Sequence, residues 1–136
     1  MKTDATSVAQ AFIAAINRHS VTDIGELMSE DHTFIDSQGG KVSGREAMVA
    51  GWKAYLTFFP DFEIQVENMV ANDELVGIFG RTSGTYCGKR GPVPENRIVI
   101  PAAWKAIARD GKIELWQVFA DWTEGMKTIE RETGMS

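Results

Sequence analysis

The hydrophobic period of this chain changes once, at Pro60, and that change limits the folds open to it. Before Pro60 the apolar residues recur at helical spacing; after it they alternate. From Ser7 to Arg18, Val8, Phe12, Ala15 and Ile16 form a stripe that Ala9 and Ile13 widen, which predicts a helix with one buried face. "SVTDIGELM" predicts a shorter helix capped by Ser20, with Ile24, Leu27 and Met28 on one side. In "SGREAMVAGWKAYLTFF", Ser43 and Glu46 have capping-box spacing, and Met48, Trp52, Tyr55, Leu56 and Phe59 share a stripe until Pro60 ends the helix. Beyond it, Phe62, Ile64 and Val66 alternate with Glu63, Gln65 and Glu67 as in a half-buried strand.

Three more strands follow. "LVGIFGRTSGTY" carries Gly77, Gly80 and Gly84, which mark bends or bulges. After the loop "CGKRGPVPEN", a strand runs from Arg97 to Arg109, with Pro101 expected at a bulge or an edge position. The Asp-Gly of "RDGK" then makes a hairpin turn into a last strand, Ile113 to Trp122. Residues onward to Ser136 read as a polar, frayed helix or tail. Helices first and hairpin-joined strands afterwards define an α+β domain. Three N-terminal helices laid across a curved, mostly antiparallel sheet enclose a cone-shaped barrel with an internal apolar pocket. At 136 residues the chain fits one domain, 1–136.

Composition excludes several functions. With 14 Lys and Arg against 19 Asp and Glu, the net charge is -5, and no basic run interleaves with aromatics, so nucleic acid is not an expected partner. "MKTDATSVAQ" lacks a signal peptide's apolar core, and no apolar run reaches membrane-spanning length, which makes a cytoplasmic protein without membrane contact the expectation. Cys87 is alone. His19, His32 and Asp36 do not form the three-ligand set of a catalytic zinc, so no metal is expected. No Ser or Cys stands in a nucleophile context, and no phosphate-loop pattern occurs.

Two aspartates remain as candidates for chemistry. In "EDHTFIDSQGGKVSG", His32, Phe34 and Asp36 alternate on one strand face, and Phe34 turns that face inward. Beside an apolar wall a carboxylate loses hydration and its pKa rises toward the range useful for proton transfer; alternatively, Asp36 opens the turn "DSQGG". Asp121, in "VFADWTEG", either points into a pocket or begins a turn. Lys105 and Arg109 facing solvent would turn Trp104, Ala106 and Ala108 inward. In the last strand Leu115, Gln117, Phe119 and Asp121 share one parity, and Trp116, Val118, Ala120 and Trp122 the other. A strand apolar on both faces suggests helices on one side and a second subunit on the other, a homodimer.

"VAQAFIAAIN", "DHTFIDSQGGKVSGREAM", "GPVPENRIVIPAAW", "RDGKI" and "WQVFADW", in this order, resemble the SnoaL-like polyketide cyclases and the ketosteroid isomerase relatives of the nuclear transport factor 2-like superfamily. The resemblance implies a cone-shaped barrel, dimeric through the outer sheet face, with no metal or organic cofactor. Asp36 matches the aspartate with which the isomerases move a proton beside a carbonyl, and Asp121 the acid/base aspartate of the cyclases. Phe12 stands where the isomerases have an oxyanion-binding tyrosine, and Trp104 where they have a second acid or some cyclases a histidine. The implied activity is cofactor-independent acid/base chemistry on a hydrophobic, carbonyl-bearing small molecule, such as aldol cyclisation or a related isomerisation; the alternative is a non-catalytic pocket protein or dimeric interaction module. Asp36 and Asp121 are the expected proton carriers. Trp104, Gln117 and Tyr55 are the expected oxygen-binding groups, and Phe12, Ile16, Phe34, Trp52, Phe59 and Phe119 complete the expected pocket.

Overall fold

The computed structural model describes residues 4–134. Helix α1 (Ala5–Asn17) starts at Asp4, whose Oδ1 accepts the Ser7 N–H at 2.7 Å, and it buries Val8, Ala9, Phe12, Ala15 and Ile16. Helix α2 (Val21–Glu26) is capped by Ser20 as the sequence predicts. Strand β1 (Met28–Ile35) and the short β2 (Lys41–Ser43) flank the "DSQGG" turn. Helix α3 (Arg45–Phe58) follows, then β3 (Glu63–Asn72), β4 (Leu75–Thr85), β5 (Arg97–Arg109), β6 (Lys112–Ala120) and α4 (Thr123–Thr133).

The six strands form one open, mixed sheet in the order β2-β1-β6-β5-β4-β3. β1 runs parallel to β6; the other neighbours are antiparallel. With the helices against its inner face, the fold is the expected α+β cone. Among the described residues, no helix is long and apolar enough to cross a membrane.

Helix α1 lies directly on the sheet, against β3, β4, β5 and β6, and Phe12 meets Trp116 edge-on at 4.9 Å. Its last residue ties it down: the Asn17 side chain accepts the Ile64 N–H at 2.8 Å and donates to the Ile64 carbonyl at 3.0 Å. Helix α3 packs chiefly on α2, β1 and β2. The strands between the two helices therefore keep part of their inner face uncovered.

Several local expectations change. The Ser43–Glu46 capping box does not form, because the chain enters α3 through Gly44 at φ 101°, with no side-chain cap. Val66 keeps the parity of the buried Ile64 but is exposed, and β3 bulges between Val66 and Asn68, so parity reverses beyond it. Pro101 causes no bulge: it stays paired with Arg81, and the β5–β6 irregularity lies at Ile107/Ala108 instead. Residues 123–133 form a helix that buries Thr128 and Glu132, where the sequence suggested a frayed end; Met135 and Ser136 lie outside the described residues. Helix α4 is fastened by the Glu132 carboxylate, which accepts two bonds from Arg90, and by Arg131, which donates to Asn96 Oδ1 at 2.7 Å.

Two outcomes test this packing. A Cβ on Gly80 would stand 1.9 Å from the Gln65 carbonyl oxygen at the β3 bulge, a backbone atom that cannot swing away. Gly80→Ala is expected to lower the unfolding free energy by roughly 2–3 kcal/mol in urea titration. His32 is fully buried and its Nδ1–H donates to the Ile113 carbonyl at 2.8 Å, while burial pushes its pKa below the ordinary value. The unfolded chain then binds the proton more readily, so this contribution to stability is complete above pH ~6.5 and is lost as pH falls below it. Urea midpoints measured from pH 7.5 to 5, with an NMR titration of the His32 ring, check the sign.

Candidate active site

The uncovered inner face, roofed by α3 and α4, forms a cavity of about 570 Å³. The volume is that of a small-molecule site. Ten of the chain's thirteen aromatic residues line it, including all four tryptophans and both tyrosines. The rings brace one another: Tyr55 stands at 88° to Trp52 and 84° to Phe62, with centroids 6.0 and 5.0 Å away. Trp104 and Trp116 stack at 6.3 Å on neighbouring strands.

Polar groups in this wall are few. Asp36, Ser37 and Gln38 enter it from the β1–β2 turn, and Thr82, Tyr55 and Tyr86 from the wall itself. Asp36 is the sole charged side chain lining the cavity among the described residues. Its Oδ1 accepts the N–H groups of Gln38 at 2.8 Å and Gly40 at 2.9 Å, while Oδ2 has no hydrogen bond among the described residues. Both readings of Asp36 thus meet in one residue: one oxygen opens the turn, and the side chain lines the cavity. Tyr55 is largely buried, which pushes its pKa well above the ordinary phenol range, so it stays a neutral O–H.

Phe34, Asp36, Trp52, Tyr55, Phe59 and Trp104 stand together in the wall. Asp121, Gln117 and Phe119 do not. The pairs Ala106–Trp116, Trp104–Val118 and Ala102–Ala120 put the other parity of β6 inward, leaving Phe119 half-exposed on the outer face. Asp121 is exposed just before α4, where its Oδ1 accepts the N–H and hydroxyl of Thr123. Those bonds hold its carboxyl below the usual range, the reverse of what a proton shuttle near neutral pH needs. Phe12 and Ile16 are fully buried beneath α1, in the solid core rather than the wall, because α1 meets the sheet without a gap. Phe62, Tyr86, Trp116, Trp122 and Ile129 line the cavity although sequence reasoning did not place them there. The parity of Trp116 and Trp122 with Val118 was the available signal; nothing local marked Tyr86 or Ile129.

His19 and His32 each donate a ring N–H to a carbonyl, that of Phe62 just before β3 and that of Ile113 in β6. Among the described residues, no three His, Cys, Asp or Glu gather as a metal site.

The fold is shared with solved structures described as ketosteroid isomerase-like and NTF2-like. The chain belongs to the SnoaL-like domain family, which matches residues 9–116. Solved structures share the fold at low identity. A candidate SnoaL-like polyketide cyclase from Shewanella denitrificans OS-217 superposes with a TM-score of 0.79 at 17% identity, over 93% of this chain and 97% of that one. An epoxide hydrolase of M. tuberculosis, of the LEH-like kind, gives 0.78 at 17%, over 96% and 92%. A protein of ketosteroid isomerase-like fold from Catenulispora acidiphila DSM 44928, in complex with trimethylamine, gives 0.74 at 18%, over 95% and 93%. Compared with curated proteins, the chain has no significant match.

Filling the cavity with a neutral aromatic probe such as 2-naphthol is expected to shift the indole NMR signals of all four tryptophans and the carboxyl signal of Asp36. The Asp121 carboxyl should stay in place. A shift at Asp121 without one at Asp36 would reverse the assignment of faces.

Proposed function

We propose that this protein is a cofactor-independent acid/base enzyme acting on a hydrophobic, carbonyl-bearing small molecule, with Asp36 as its proton carrier. One observation carries the reading: a cavity walled by aromatic rings receives a single carboxylate, with one oxygen already satisfied and the other free. The ionised Oδ2 takes a proton from the carbon beside a carbonyl. The enolate so formed attacks a second carbonyl of the same molecule, making a carbon–carbon bond, and the resulting alkoxide takes the proton back from Asp36. In an isomerisation the proton returns to another carbon instead. The neutral Tyr55 hydroxyl, which has no hydrogen bond among the described residues, is suited to donate to the enolate oxygen. The walls exclude water and hold the chain of the substrate folded.

A second reading, a pocket protein that binds without turnover, is favoured by the placement of Asp121 outside the cavity, which leaves one carboxylate where a pair was expected. Turnover of aromatic-tailed diketones separates the two. Asp36→Asn keeps an oxygen for the turn N–H groups, and it is expected to lower kcat by ~10²–10⁴ without changing the fold. Asp121→Asn is expected to retain activity. Full turnover by Asp36→Asn would overturn the assignment, and tight binding with no turnover by the wild type would favour the second reading.

The outer sheet face is proposed as the contact with a second copy of this chain. Phe79, Ala103 and Phe119 form one row across β4, β5 and β6, and both phenylalanines are half-exposed. Lys105 and the Arg81–Glu67 pair supply charges of both signs beside this row, as a self-complementary two-fold contact requires. Sedimentation equilibrium is expected to give a dimer that Phe79→Glu with Phe119→Glu converts to a monomer; a wild-type monomer at micromolar concentration would overturn it.

A further inference from the structure

The cavity wall has a sign. Ten aromatic rings line it, and an aromatic ring attracts a cation to its electron-rich face. No Lys, Arg or His is among the lining residues, and the one charge there is the carboxylate of Asp36. An anionic ligand would therefore find only neutral donors such as the Tyr55 hydroxyl, no cation to offset its charge, and a like charge in the wall. A neutral ligand would gain only apolar burial. A weakly hydrated organic cation gains that burial, the attraction of the ring faces and the attraction of Asp36.

We propose that the natural ligand or substrate of this cavity is an apolar molecule carrying an amine or quaternary ammonium group, and that the site discriminates against anions. This rests on the reading of the cavity as a small-molecule site and deepens it. The Oδ2 left free by the turn is the natural counter-charge.

Because all four tryptophans line the cavity, their fluorescence reports its occupancy. The probes are benzyltrimethylammonium and neopentylbenzene, which have nearly the same shape and differ by the charge, with benzoate as the anion. The cation is expected to bind roughly 10-fold or more tightly than its neutral isostere, and benzoate least of all. Asp36→Asn is expected to remove much of the cation's advantage while leaving neopentylbenzene unaffected. Equal affinity for cation and isostere, or a preference for benzoate, would overturn the charge preference and leave the apolar pocket standing. Binding of none of the three, with the fold intact by circular dichroism, would overturn the pocket reading and this proposal with it.

Discussion

The cavity exists because α1 and α3 cover the sheet unequally. Phe12 against Trp116 and Asn17 against Ile64 press α1 onto the sheet until no space remains, while α3 leans on α2 and the β1–β2 edge. The inner faces of β4, β5 and β6 would otherwise need large side chains reaching across to α3. Alanines at 102, 106 and 120 keep part of those strands low, and the space that results is lined by rings rather than filled by them. An apolar cavity forfeits packing contacts that a filled core would have, a cost tolerated where binding is at stake.

Closure falls to the C-terminal helix. Trp122 and Ile129 of this region face the cavity, and the buried Glu132, held by Arg90, fixes the far end of α4 to the β4–β5 loop. The Arg90 guanidinium keeps the Glu132 carboxyl below its usual range, so the clasp stays charged across the neutral range. Asp121 does its work at the other end of the same helix, bound to Thr123. An aspartate that resembles a catalytic group by position is here part of the frame that holds the roof.

Much of the fold was legible. The change of period at Pro60, the cap at Ser20 and the Asp-Gly hairpin, with Asp110 and Gly111 both at positive φ, are local and survive into the structure. The site was legible only in part. Phe34, Trp52, Tyr55, Phe59 and Trp104 come together in the wall because helical spacing and strand parity placed them inward. Gln117, Phe119 and Asp121 were misplaced because both faces of β6 are apolar, and parity has no preference when one face meets the core and the other is a half-exposed apolar row. The bulge after Val66 was not legible either: one extra residue in β3 reverses the side chains beyond it.

The sequence by itself determined the order of elements, the inward stripe of each helix, the turn at Asp36 and the absence of basic or nucleophilic motifs, since each of these follows from residues near one another along the chain. Tertiary structure alone decided which face of β6 looks inward, that α4 folds over the cavity, and that rings from β1, α3, β5 and β6 share that cavity with a single carboxylate. Those outcomes depend on strand register and on which helix reaches the sheet first. Both are set by contacts between residues far apart in sequence, such as Asn17 with Ile64 and Arg90 with Glu132.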